Sequence, residues 1–102
     1  YGPTETTVIC VARQFPEESE TDPTNIGKPV GCRAWVVDPT DYSSLTSIGA
    51  IGELVIEGPN ITDGYLGDTE KTEKSFIARP SWASLFDTPS STAFNLYKTG
   101  DL

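Results

Sequence analysis

The sequence predicts a mainly β fold with one or two short helices, a small distorted β-barrel-like unit across residues 1–102. Three observations carry this expectation. Short β-branched or alternating runs recur along the chain, eight prolines and nine glycines punctuate them, and one stretch alone carries clear helix signals. A chain of 102 residues suffices for one core, and 36% apolar residues is lean for a domain that stands alone.

Each element follows from its residues. Thr6 to Ala12 contains Val8, Ile9 and Val11 after a Gly2-Pro3 turn, and reads as a strand. Gln14 to Thr24 is acidic and contains two prolines, so it reads as a solvated loop. Arg33 to Asp38 is a second strand, with Trp35 and Val37 on one face and Ala34 and Val36 on the other. Pro39 to Gly49 is polar and reads as a connection. In Gly52 to Gly58, Leu54 and Ile56 alternate with Glu53, Val55 and Glu57, which predicts a strand with Leu54 and Ile56 toward the core. Pro59 to Gly67 is a loop. Asp68 to Ile77 is the helix, with Asp68 as its cap and Glu70 at the positive end of its dipole. Pro80 stops it, Ser81 to Phe86 suits one further short helical turn, Asp87 to Thr92 is polar, and Phe94 to Lys98 reads as a last strand.

The totals exclude several functions. A formal net charge of −8 repels phosphate backbones, so a nucleic-acid partner is not expected. The chain has no histidine, which removes Ser-His-Asp and Cys-His catalysis and any His metal site from this piece. No apolar run is long enough to cross a bilayer and no signal peptide is visible, so no membrane partner is expected. Cys10 and Cys32 read as reduced thiols. The alternative is a disulfide in a secreted protein, which the Asn60-Ile61-Thr62 sequon would suit. The chain opens on Tyr-Gly-Pro and closes on Gly-Asp-Leu without a methionine, and both edges read as cuts through a longer polypeptide.

Three motifs carry chemistry. Tyr1-Gly2-Pro3-Thr4-Glu5 places an aromatic face, a tight turn, a hydroxyl and a carboxylate within five residues. Such a set can stack on a purine, bond a phosphate oxygen and hold magnesium. Gly52 to Gly58, followed by Asp63-Gly64-Tyr65-Leu66-Gly67, is explained by strand and turn chemistry alone. Tyr97-Lys98-Thr99-Gly100-Asp101 ends a strand on an aspartate whose carboxylate can accept two vicinal ribose hydroxyls. Gly27-Lys28-Pro29 lacks the upstream glycine and the Ser/Thr of a phosphate-binding loop and reads as a turn.

In order and spacing, these motifs resemble the central core of adenylate-forming enzymes, the superfamily of peptide-synthetase adenylation domains, acyl-CoA synthetases and luciferases. Ile26-Gly27-Lys28-Pro29-Val30-Gly31-Cys32 and Trp35-Val36-Val37-Asp38-Pro39 look most like the peptide-synthetase branch, particularly its fungal members. The resemblance implies a fragment of a larger adenylation domain. Such a domain uses ATP and Mg2+ to convert an amino acid to its aminoacyl-adenylate, releasing pyrophosphate. It then passes the acyl group to the phosphopantetheine thiol of a carrier domain, in the cytoplasm. An acyl-CoA or aryl-acid ligase, and a non-catalytic nucleotide-binding relic, are the alternatives.

The resemblance also implies roles. Tyr1 would flank the adenine, Thr4 would bond the α-phosphate, and Glu5 would help hold magnesium, so that Thr4 and Glu5 form the catalytic set. Asp101 would bind the ribose. Val8 and Ile9 would line the amino-acid pocket, offering packing rather than a charged partner. Lys98 carries no assigned catalytic role. Arg79 to Thr92 looks longer than in short relatives and is expected to be a surface insertion. The family's phosphate loop, remaining substrate pocket, hinge and catalytic lysine would lie outside these residues, so the piece alone is expected to be inactive.

Overall fold

A computed structural model describes residues 1–14, 22–89 and 92–102. Most of the expected acidic loop, and part of the polar stretch 87–92, lie outside the described residues. The fold is mainly β, as expected. Five antiparallel strands form a curled half-barrel sheet in the order β4-β3-β5-β7-β6. They are β3 (Arg33–Asp38), β4 (Asp41–Leu45), β5 (Glu53–Glu57), β6 (Phe76–Ile77) and β7 (Leu96–Lys98). A separate ribbon pairs β1 (Val11–Ala12) with β2 (Lys28–Pro29).

The central strand β5 is the spine. It pairs with β3 from Arg33↔Glu57 through Val37↔Glu53, and with β7 from Val55↔Lys98 through Glu57↔Leu96. Alternation along these strands splits the apolar residues between two small cores, one on each side of the sheet. On one side Ile56 and Tyr97 pack with Cys10, Val11 and Ile61. On the other, Val37, Val55 and Leu96 pack with Trp82 and Ala83.

Covering both faces corrects the reading of β5. Leu54 and Ile56 do face one core, but Val55 is fully buried on the other and Glu57 is 1% exposed. Glu57 survives there because it is paired. It meets the Arg79 guanidinium, accepts from Trp35 Nε1 at 2.9 Å and lies 3.7 Å from Arg33. Arg79 also bonds Asp87 at 2.6 Å, so the network ties the sheet to a 3-10 helix at Ser81–Phe86. That helix, expected as a short turn, is more than a surface insertion: Trp82 and Ala83 are both core residues.

Three boundaries also shift. The strand expected over Thr6 to Ala12 is confined to Val11–Ala12. Thr4–Thr6 forms a 3-10 turn after Pro3, and Thr7 and Val8 adopt positive φ of 55° and 74°. β-Branched residues favour strands only where a neighbour pairs with them, and here Asn60 and Thr62 take up the backbone instead. The helix α1 runs Thr69–Ser75, with Asp68 capping the Lys71 amide at 2.9 Å as expected. It stops before Phe76 and Ile77 because these pair with Tyr97 and Leu96 as β6. The expected polar connection contains the edge strand β4, exposed at every residue and flanked by Asp38 and Asp41 turns onto Thr40 and Ser43. A polar edge carries no apolar alternation by which to recognise it.

Both cysteines are free thiols, Cys10 buried and Cys32 half-buried, so the disulfide alternative falls. Burial pushes the Cys32 thiol above its ordinary range. Among the described residues no helix is long and apolar enough to cross a membrane.

Candidate functional site

The first and last motifs meet in space. The Tyr1 hydroxyl donates to Asp101 Oδ2, a side-chain bond across 100 positions of sequence. Each residue is held by its own backbone. Tyr1 N donates to Val11 O at 2.9 Å, and Tyr1 O accepts from the Cys10 and Val11 amides at 3.1 Å. Gly2 makes this possible, because a Cβ there would collide with the Val8 carbonyl.

Asp101 is fixed to β5. Leu54 N donates to Asp101 O at 2.9 Å, and the Thr99 hydroxyl donates to Leu54 O at 2.8 Å. Gly100 N donates to Glu53 Oε1 at 3.0 Å, while Glu53 Oε2 lies 3.3 Å from Lys98 Nζ. Glu53 therefore organises the Thr99-Gly100-Asp101 turn from below, which explains a carboxylate that is only 7% exposed. The alternation of β5 assigned Glu53 to the solvent side, and nothing in the sequence beyond the Gly-Asp turn hinted at this work.

Tyr1 and Asp101 stand at the rim of a cleft of about 650 Å³, otherwise apolar, with Ile26, Val36, Ile51, Leu54 and Leu102 among its walls. Burial, followed by the neighbouring Asp101 carboxylate, pushes the Tyr1 phenol up to about 12, so it stays a donor across the physiological range. A carboxylate accepts up to about four hydrogen bonds, so Asp101 keeps capacity for further hydroxyls beside Tyr1.

Glu5 occupies a second position, on the 3-10 turn. Its carboxylate accepts from the Tyr65 hydroxyl at 2.5 Å. That phenol is the main reason its pKa is lowered, with Tyr97 and Lys71 acting in the same direction. Burial, then the hydrogen bond to Tyr65 and the Glu5 charge, raises the Tyr97 phenol beyond its ordinary range. The turn is clamped along its backbone. Thr62 N donates to Glu5 O at 2.9 Å, Asn60 Nδ2 donates to Thr6 O at 3.0 Å, and the Thr7 hydroxyl donates to Asn60 O at 2.8 Å. An ionised carboxylate on a fixed turn is a hard oxygen donor of the kind Mg2+ accepts. That ion usually takes one or two carboxylates and completes its shell with water and phosphate. Among the described residues no group of three or more His, Cys, Asp or Glu gathers, around Glu5 or elsewhere.

The remaining sequence candidates are placed less centrally. Thr4 is exposed on the same turn as Glu5. Val8 and Ile9 are 74% and 58% exposed, and neither lines the large cleft. Tyr65, read from sequence as part of a turn, is the contact that sequence reasoning missed. Its Gly-Tyr setting looked like turn chemistry, and a contact across 60 positions leaves no local signal.

The chain is similar to known proteins along its whole length. Residues 1–66 match the AMP-binding enzyme family, and the chain belongs to that family. Over its whole length the chain is 47% identical to malformin synthetase mlfA of Aspergillus homomorphus, spanning 2% of that protein. It is likewise 47% identical, over its whole length, to nonribosomal peptide synthetase TES of Alternaria alternata, again spanning 2%. A nonribosomal peptide synthetase of Pyrenophora dematioidea is 48% identical over the full chain, which spans 8% of it. The chain thus spans a small fraction of the curated relatives it matches.

Proposed function

We propose that residues 1–102 form one β-rich unit of a larger adenylation domain in a fungal-type nonribosomal peptide synthetase. The domain activates an amino acid as its aminoacyl-adenylate and delivers it to a carrier-domain phosphopantetheine thiol. The observation that supports this most is the meeting of Tyr1 with Asp101 at the rim of an apolar cleft. A purine fits between apolar walls beside an aromatic side chain, and a carboxylate at the rim suits a ribose diol.

The substrate carboxylate is already ionised at neutral pH, so no general base is needed when it attacks the α-phosphorus of ATP and pyrophosphate leaves. The barrier is electrostatic, between an anion and a polyanion. Mg2+, when bound, supplies the neutralising charge. In this reading Tyr1 and Asp101 fix the nucleoside, the Thr4 hydroxyl bonds the α-phosphate, and Glu5 holds the cation. Val8 and Ile9, exposed here, face the amino acid in the complete domain.

The test is amino-acid-dependent exchange of labelled pyrophosphate into ATP by the intact adenylation domain, over a panel of amino and aryl acids. Exchange is expected with one or a few amino acids, with Glu5→Ala and Asp101→Ala each reducing it by about 10²-fold or more. Exchange with aryl acids alone would move the domain to the aryl-acid ligases. No exchange from a folded protein that still binds ATP would leave a nucleotide-binding relic.

A further inference from the structure

We infer that Tyr65 is a positioning residue for the Glu5 carboxylate, fixing the orientation in which that carboxylate meets a divalent cation. The inference rests on the cation role proposed above for Glu5. Its own support is the way the fold immobilises Tyr65.

The phenol is held on several sides before it reaches Glu5. Tyr65 N donates to the Thr72 hydroxyl of α1 at 2.9 Å. The ring meets Phe76 edge-on, with centroids 5.6 Å apart, and Lys71 Nζ sits 4.0 Å from the ring centroid. The preceding residue must be glycine: Gly64 has φ 142°, and a Cβ there would strike the Thr72 side chain. The Thr72 hydroxyl itself donates to Asp68 O at 2.8 Å, which fixes it to the first turn of α1. The hydroxyl of Tyr65 therefore arrives at Glu5 Oε1 from a fixed direction.

Nothing about packing requires that hydroxyl. The ring contacts with Phe76 and Lys71 would be made equally by phenylalanine. The hydroxyl's contacts are with the neighbouring Tyr97 phenol and with Glu5, a side chain on a turn whose backbone is already clamped through Thr62 and Asn60. A carboxylate with a fixed backbone still rotates about its side-chain torsions, and the strong Tyr65 donor, with Tyr97 assisting, restricts that freedom. The other oxygen is then presented in a defined direction. Losing a group that orients a metal-binding ligand typically costs about 10- to 100-fold in metal affinity or activity.

The test uses the intact adenylation domain with Mn2+ and ATP, following Mn2+ by electron paramagnetic resonance and stability by thermal melting. Wild type is expected to bind Mn2+–ATP more tightly than Glu5→Gln. Tyr65→Phe, which keeps the ring packing, is expected to melt close to wild type and to weaken Mn2+ binding about tenfold or more. In the Glu5→Gln background the same change should add little, because the carboxylate it orients is gone. Should Tyr65→Phe unfold, Thr72→Val, which loosens the backbone anchor but keeps the phenol, is expected to weaken Mn2+ by a smaller factor. Equal binding by Tyr65→Phe and wild type, with Glu5→Gln still impaired, would overturn the inference and leave the proposed function standing. Equal binding by wild type and Glu5→Gln would overturn both.

Discussion

At the scale of single residues, the site depends on small backbone necessities. Gly2 is required because its Cβ position is filled by the Val8 carbonyl, on a segment where Thr7 and Val8 already sit at positive φ. Gly2→Ala is therefore expected to destabilise the intact domain by about 2 kcal/mol, in the range of overpacking changes, and to loosen the Tyr1 contact with Asp101. Urea unfolding checks the first effect and ATP affinity the second. An unchanged midpoint would mean that the Val8 turn gives way freely. Of the candidate site residues, Tyr1, Thr4, Glu5 and Asp101 were legible through the resemblance that the order and spacing of their motifs carry. Tyr65 and Glu53 were not, because each acts across the fold on a partner that no spacing rule connects to it.

At the scale of elements, the outer 3-10 helix is joined to the sheet by both charge and aromatic packing. Glu57 has no side-chain exposure, and Arg79 is its closest cation, with a guanidinium pKa raised chiefly by that contact. Removing one partner from a buried pair leaves an uncompensated charge. Arg79→Met is expected to cost about 3 kcal/mol, and Glu57→Leu/Arg79→Met together less than Arg79→Met alone. Thermal melting of the two variants decides it: equal losses would mean that Arg33 and Trp35 satisfy Glu57 unaided. The strands β3, β5 and β7 were legible from alternation or β-branched content. What alternation could not convey is that β5 lies between two cores. Its glutamates were read as solvent-facing because an ionic network in the interior has the same sequence signature as an exposed face.

At the scale of the whole molecule, the two cores are small and much apolar surface remains uncovered. Ile48, Ile51, Leu66, Leu85 and Leu102 are each about four-fifths exposed or more. Ile51 and Leu102 line the large cleft, so the surface proposed to take the nucleotide is continuous with surface that wants covering. Residues 1–102 expressed alone are expected to be loosely packed, to bind the dye ANS and to associate. Dispersed amide resonances from a monomer without dye binding would show instead that the half-barrel is self-sufficient. The mainly β class was legible from turn density and short strands. The separation into two cores was not, since it depends on how β1, the loop after β5 and the 3-10 helix fold back over the sheet.

The two tryptophans of the chain give the outer helix a further property. Trp35 belongs to β3 and Trp82 to the 3-10 helix, and their ring centroids lie 5.0 Å apart with planes inclined at 60°. Indoles this close share their electronic excitations, so the pair absorbs as one coupled chromophore and gives a split circular-dichroism band in the ultraviolet. That band exists only while the helix is seated on the strand. The chain carries its own optical gauge of the seam that Glu57 and Arg79 hold together, with no added label.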